Sequence, residues 1–342
     1  MVGGGGSHPN RLINAAVKSV TAADYSTLKE WVDREEPYIF IPADADIVLP
    51  DRKGALVLHT GQTLYGDRGH NGSNGGRLFV QGDPTNNIDD FSVIQLASHA
   101  RISGLRIEGP VKVSDSIKRN IGIQTAPGSI NIRIDNNDLS GWPWAAISVK
   151  QSQNVWVDHN YIHENIKSGL GYGVVVQNGE ATAEISCNLF NANRHAIAGS
   201  GNYGEGYWAH HNFVMPGGGK GAYHQFDMHG WGNEQIAGKY VVINHNWFYY
   251  GDYGTANRSA IMLRGVPETG AASITDNRFH SPYRITENAV TVQGVAGSIA
   301  PEEQLRASNR FNVNFTFSDE NGQCLMQTGE ESVPVWCAAA RE

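Results

Sequence analysis

Residues Val157–Ile162 read VDHNYI, and the same frame returns six more times along the chain. The other copies are IDNNDL (Ile134–Leu139), ISCNLF (Ile185–Phe190), AHHNFV (Ala209–Val214), INHNWF (Ile243–Phe248), ITDNRF (Ile274–Phe279) and ASNRFN (Ala307–Asn312). Each aligns on one asparagine: Asn137, Asn160, Asn188, Asn212, Asn246, Asn277 and Asn309. Successive spacings are 23, 28, 24, 34, 31 and 32 residues. A period of that length marks a repeat architecture. The repeats contain short β-rich runs and no paired helices, which predicts a parallel β-solenoid. Asparagine suits its tight turns, where its amide bonds backbone and tolerates left-handed geometry. Stacked coil on coil, one amide also reaches the next and builds a ladder.

Working outward, Ala100–Gly109 (ARISGLRIEG) carries the frame with Leu105 in the asparagine place. Thr21–Glu35 reads as a helix, with Thr21 and Asp24 at a capping start, Leu28, Trp31 and Val32 on one face, and Pro37 as the stop. A solenoid exposes apolar surface at its ends, so this helix is the expected cap. The predicted organisation is residues 1–10 as a linker, 11–37 as an N-terminal capping segment with its helix, and 38–310 as an all-β, single-stranded right-handed parallel β-helix. Residues 311–342 form a tail that packs on or caps the solenoid.

The bulk properties narrow the function. A formal net charge of −8 over 342 residues disfavours nucleic acid, which needs a basic stripe. No apolar run approaches the length of a membrane span. Of three cysteines, Cys324 and Cys337 are close enough in the tail to pair, and Cys187 reads as a buried free thiol. Such a bridge points to a secreted or periplasmic home. A monomer is expected.

The second strand of each coil aligns on Ile147, Val174, Ile197, Phe226, Ile261 and Val290. Side chains alternate along a strand. If these six point inward, then Ser148, Val175, Ala198, Asp227, Met262 and Thr291 point outward. The next outward column is Lys150, Gln177, Ser200, His229, Arg264 and Gln293. At the start of these strands stand Ala145, Tyr172, His195, His224, Ser259 and Asn288. Stacking at roughly 4.8 Å per coil then gathers Tyr172, Arg194, His195, His224, Asp227, His229 and Arg264, which are the catalytic candidates. Insertions collect beside the same strand and predict a groove. Lys150, Tyr207, Lys220, Tyr223, Trp231 and Tyr249 are its candidate substrate contacts, since aromatic faces stack on sugar rings. A convergent cluster of ionisable groups is harder to explain by packing than any single histidine.

A second column, His159, Cys187, His211, His245 and Asp276, directly precedes the asparagines. It is read as structural, because turn-adjacent columns repeat in any solenoid and no closed zinc-site spacing accompanies it. No metal ligand and no required cofactor is assigned. Calcium is the possibility kept open, through Asp44 and Asp46, whose simpler reading is a solvated turn.

Two of these stretches carry a resemblance. NVWVDHNYIH (Asn154–His163) resembles the vWIDH strand of the pectate-lyase-like superfamily, and WAHHNFV (Trp208–Val214) resembles its HHN coil. The resemblance spans roughly residues 38–310 and implies a right-handed parallel β-helix of carbohydrate-active type. Where pectate lyases place an acidic calcium-binding strand, this chain has GYGVVVQ (Gly171–Gln177), and their arginine-rich RmPRvR strand is missing. NRHAIAGSG, YHQFDMHG and MLRGVP are similar to a group of bacterial and archaeal β-helix repeat proteins.

The expected function is a polysaccharide-degrading enzyme on a uronate-containing glycan, acting by β-elimination. Arg264 or Arg194 would neutralise the carboxylate, His229 or His195 would serve as base, and Tyr172 or Tyr207 as acid. The alternatives are a glycoside hydrolase, a uronate epimerase or a non-catalytic carbohydrate-binding solenoid. A hydrolase needs two carboxylates, and Asp227 with Glu164 or Asp252 is the available pairing.

Overall fold

The computed structural model describes residues 3–5, 8, 10–12, 18–82, 90–111, 118–215, 224–232, 235–249, 259–285, 289–293 and 295–315, and the backbone of 316–319 and 324–328. Three parallel sheets of ten, nine and ten strands wind around one apolar core. One coil shows the path. Ile130–Asp135 belongs to the first sheet, Asp138–Ser140 to the third, and Ala145–Lys150 to the second. The chain then returns to the first sheet at Gln153–Asp158, paired in parallel on Ile130–Asp135. This is a right-handed parallel β-helix, the hand that parallel crossovers take almost without exception.

The predicted register is the observed one. Ile147, Val174, Ile197, Phe226, Ile261 and Val290 are successive partners in the second sheet. All six are buried in the core. Ser148, Val175, Ala198, Asp227, Met262 and Thr291 are likewise in register on the other face.

The asparagine ladder runs unbroken from Asn137 to Asn309, inside the turn between the first and third sheets. In each rung Nδ2 and the backbone N–H both donate to the Oδ1 of the next coil's asparagine, at 2.9–3.1 Å. Nδ2 also donates to a carbonyl of the coil before, as Asn188 does to Val157. Leu105 donates its N–H to Asn137 Oδ1 and so ends the ladder where the frame loses its asparagine. The left-handed geometry falls one residue earlier than expected. Asn136, His159, Cys187, His211, His245 and Asp276 have φ of 53–58°. Asn, Asp and His tolerate that region best, which gives the second column a backbone reason. A second, shorter ladder joins Trp142 N–H to Asn165 Oδ1 and Asn165 Nδ2 to Asn193 Oδ1.

The capping helix spans Tyr25–Asp33, shorter at both ends than the expected Thr21–Glu35. Asp24 caps it by accepting from Thr27 N–H. Thr21 belongs instead to a short strand, Val20–Thr21, which pairs with Tyr38–Phe40. Leu28 and Val32 are buried against the first coils. Gln62 Nε2 donates to the carbonyls of Val32 and Glu36 and so satisfies the helix's C-terminal end. At the far end Arg310–Val313 is the last rung of the third sheet, followed by an antiparallel hairpin of Phe315–Asp319 and Cys324–Thr328.

The reading of Cys187 needs correction. Cys187 is disulfide-bonded, not a free thiol. The expected Cys324–Cys337 bridge lies outside the described side chains. Three cysteines allow three pairings, and spacing alone does not choose among them.

Candidate active site

The site is built on the outer face of the second sheet, over the strands Tyr172–Gln177, His195–Gly199, His224–Met228 and Ser259–Leu263. Alternation turns Phe226 into the core and sends Asp227 outward. Asp227 is not exposed, however: it is fully buried under its neighbours. Its Oδ2 accepts from His229 Nε2 at 3.1 Å. From the next coil, Arg264 donates Nε to Oδ1 at 3.1 Å and a terminal nitrogen to Oδ2 at 2.9 Å. The expected open Asp–His–Arg group is thus a buried carboxylate roofed by His229 and Arg264, whose side chains are 45% and 28% exposed. Burial alone would raise the Asp227 carboxyl. The hydrogen bond from His229 and the surrounding positive charge, Arg264 included, outweigh it and hold the group well below the usual carboxylate range. An ionised Asp227 is acceptor only, so His229 Nε2 carries the proton of their hydrogen bond.

Glycines let the roof sit close. A Cβ on Gly230 would lie 2.0 Å from the Arg264 carbonyl oxygen, and one on Gly201 1.9 Å from that of His229. Gly201 also has φ +79°, a backbone state that only glycine adopts freely.

Behind the roof lies an aromatic stack. Tyr172, His195 and His224 are register neighbours from three coils, with ring centroids 5.5 and 5.8 Å apart and planes within 10°. His195 Nδ1 donates to the His224 carbonyl at 2.5 Å, which fixes its tautomer and leaves Nε2 3.8 Å from Asp227 Oδ2. Burial lowers His195 to about 3 and His224 to about 4, so both are neutral at pH 7. Burial pushes the Tyr172 phenol up, against the opposing pull of Arg194. Arg194 follows Asn193 of the second ladder and hydrogen-bonds Tyr172. All seven catalytic candidates therefore converge, with one carboxylate among five nitrogen bases.

The substrate-contact candidates divide. Trp231 is 48% exposed beside the roof, just after His229. Lys150 is partly exposed, three strands away in the same sheet. Two assignments are corrected. Tyr207 is not a groove contact: it lies in the first-sheet strand Gly206–His210, fully buried, facing the core. Burial drives its phenol far above the ordinary range, and a sealed side chain neither lines a groove nor protonates a leaving group. Tyr249 follows the third sheet, where its ring stacks on His280 at 4.2 Å and packs against Phe315. Lys220, Tyr223, Tyr250, Asp252 and Asn288 lie outside the described residues. Glu164 belongs to another face, where it meets His163 Nδ1 at 3.1 Å.

Sequence reading missed Glu205. This buried carboxylate accepts from Ser200 Oγ at 2.6 Å and from the N–H groups of Gly179 and Gly201 at 2.8 and 2.7 Å. It ties the loop beside Ser200 to the coil below the site. No repeat marks it.

No protein-family model and no curated protein sequence matches the chain. Solved structures do resemble it. An alginate lyase from Paenibacillus sp. str. FPU-7 superposes with a TM-score of 0.52 at 12% identity, over 86% of this chain and 97% of that one. A family 28 exopolygalacturonase of Yersinia enterocolitica gives 0.46 at 10% identity, over 83% of this chain and 68% of that one. The Dettilon tailspike protein gives 0.39 at 12%, over 88% and 65%. The chain shares with the alginate lyase the parallel β-helix fold. At this identity the likeness is one of fold, and the chemistry has to be argued from the residues.

Proposed function

We propose that this protein is a polysaccharide-active enzyme that cleaves a uronate-containing glycan by β-elimination above Asp227. The observation that carries the reading is the lopsided charge of the site. One buried, ionised carboxylate is already engaged by His229 and Arg264, and Arg194 stands behind it. Such a site welcomes an anionic group and has no second free carboxylate among the described residues.

The roles follow from position. Arg264 is partly exposed and uses Nε and one terminal nitrogen on Asp227. Its remaining nitrogen neutralises the substrate carboxylate and acidifies the adjacent C5–H. His229 takes that proton on Nδ1, with Asp227 holding the imidazole and stabilising the imidazolium that forms. The C5–H electron pair becomes the C4=C5 double bond as the C4–O bond breaks. Tyr172, kept protonated by burial, supplies the proton to the leaving oxygen. Trp231 offers an exposed ring for sugar stacking. An alginate lyase exists on this fold, so the scaffold accommodates a polysaccharide lyase. A disulfide at Cys187 suits a secreted or periplasmic protein.

The test is incubation of the full chain with acidic and neutral polysaccharides, following ultraviolet absorbance of the unsaturated uronate ring and new reducing ends together. Both signals on an acidic glycan support elimination. Reducing ends without absorbance would make the enzyme a hydrolase. Binding without either would make it a carbohydrate-binding solenoid.

A further inference from the structure

The second candidate site lies on the other side of the molecule, at the asparagine turn. The expected linker, residues 1–10, is docked there in the part described. Gly3 N–H donates to the Cys187 carbonyl at 2.9 Å, Gly5 N–H to Asn136 Oδ1 at 2.6 Å, and Arg68 to the Gly3 carbonyl at 2.9 Å. A Cβ on Gly4 would fall 2.2 Å from the His159 carbonyl oxygen, so the strap lies directly on the turn. These contacts deliver His8 to His159, with ring centroids 4.7 Å apart.

Both imidazoles are buried, 2% and 1% exposed. Each is oriented by a carboxylate through one nitrogen only. His8 Nε2 meets Asp135 Oδ2 at 2.8 Å, and His159 Nδ1 meets Asp158 Oδ2 at 2.8 Å. Arg101 and Arg133 grip the two carboxylates with paired hydrogen bonds of 2.6–3.0 Å, in which the carboxylate oxygens accept. The bonded ring nitrogens therefore carry the protons. The remaining ones, His8 Nδ1 and His159 Nε2, are buried and without a hydrogen-bond partner. One nitrogen from each ring and a carboxylate oxygen of Asp158 lie within 4.8 Å of one another.

Two buried acceptors with no donor are costly unless something electron-poor joins them. A carboxylate holding the far nitrogen of a histidine is the usual outer support of a metal-bound imidazole. Imidazole is a ligand for a borderline divalent ion. We infer that His8 Nδ1 and His159 Nε2, each ring backed by its carboxylate, form a zinc site that fastens the N-terminal strap to the asparagine turn. The site is remote in role from the Asp227 cluster and independent of the reaction proposed there. Two protein ligands leave the remaining positions for water.

The test uses the full chain, stripped with a chelator and titrated with zinc chloride, with metal analysis and thermal melting as readouts. One equivalent of zinc should bind and raise Tm. His8→Asn and His159→Asn should each lose that equivalent, with affinity falling more than about tenfold. Asparagine keeps the left-handed backbone that position 159 requires, with φ 56°. His211→Asn, two turns further along, should bind as the parent does. If His159→Asn fails to fold, His8→Asn on the strap decides alone. No zinc retained by the parent, or parent-like binding by His8→Asn, overturns the assignment.

Discussion

Arg264 reaches across one coil to bond both oxygens of Asp227, and this pairing puts a fully buried carboxylate beneath a solvent-facing roof. Removing either roof residue should leave the fold and remove the chemistry. His229→Ala and Arg264→Ala should each cut turnover by roughly 100-fold or more, as expected for a lost base or charge-stabilising group. Initial rates by ultraviolet absorbance on the glycan the parent cleaves provide the measurement. Parent-like rates in both variants would place the chemistry elsewhere.

Asp227→Asn should lower stability as well as activity. Breaking a buried pair costs about 3–5 kcal/mol when both partners are sealed. Here Arg264 and His229 can regain water, so about 1–3 kcal/mol is expected. The sign of the pH dependence follows from a depressed folded-state pKa. The Asp227 contribution is complete above the unfolded value of about 4 and is lost as pH falls below it. Urea midpoints of parent and variant should converge in acid.

His195 and His224 act one step earlier on the pH scale. Their folded pKa values, about 3 and about 4, lie below the unfolded value near 6.5. The unfolded chain then binds protons that the folded chain refuses. Stability is full above about pH 6.5 and declines toward pH 4. His195→Asn should flatten this limb in a series of thermal melts. An unchanged slope between pH 6.5 and 4 would show that His195 does not titrate as its burial implies.

The asparagine ladder should be expensive to interrupt. Asn188→Ala leaves the Asn160 N–H and the Val157 carbonyl without their partners in a dry turn. A loss of about 1–3 kcal/mol is expected by chemical denaturation. The Asn212→Ala variant should behave alike. A cost below about 0.5 kcal/mol would mean that water or a shifted turn replaces the amide.

With Cys187 bridged, thiol titration of the unfolded, unreduced chain should find one free thiol. Peptide mapping should pair the Cys187 peptide with a tail peptide. Three free thiols, or a Cys324–Cys337 peptide, would contradict this. Reduction should lower stability by about 2–4 kcal/mol.

How much of this was legible depended on periodicity. The second-sheet register could be read across six coils because alternation has a period of two and the inner column is apolar throughout. That same register gathered the seven catalytic candidates. Burial of Asp227 was not legible, because alternation says which face a residue takes and not what lies over it. Tyr207 was misread because glycines surround it. Yet it stands five residues before Asn212, as Val155 stands before Asn160, and both point inward. The second ladder was also within reach, since Asn165 and Asn193 each follow a ladder asparagine by five residues. Glu205 and His8 had no such signal. Each is used once, by a contact that no repeat duplicates.

The asparagine turn has one further consequence, for how such a chain changes length. Coils between successive ladder rungs differ from 23 to 34 residues, yet every rung closes with the same bonds. The turn acts as a fixed datum, and all the added length falls between one rung and the next. A lineage can therefore lengthen or replace the segments between rungs without re-registering the wall that carries Asp227 and Arg264. Grafting a foreign loop at the corner after Met215 should be tolerated far better than inserting one residue beside Asn212.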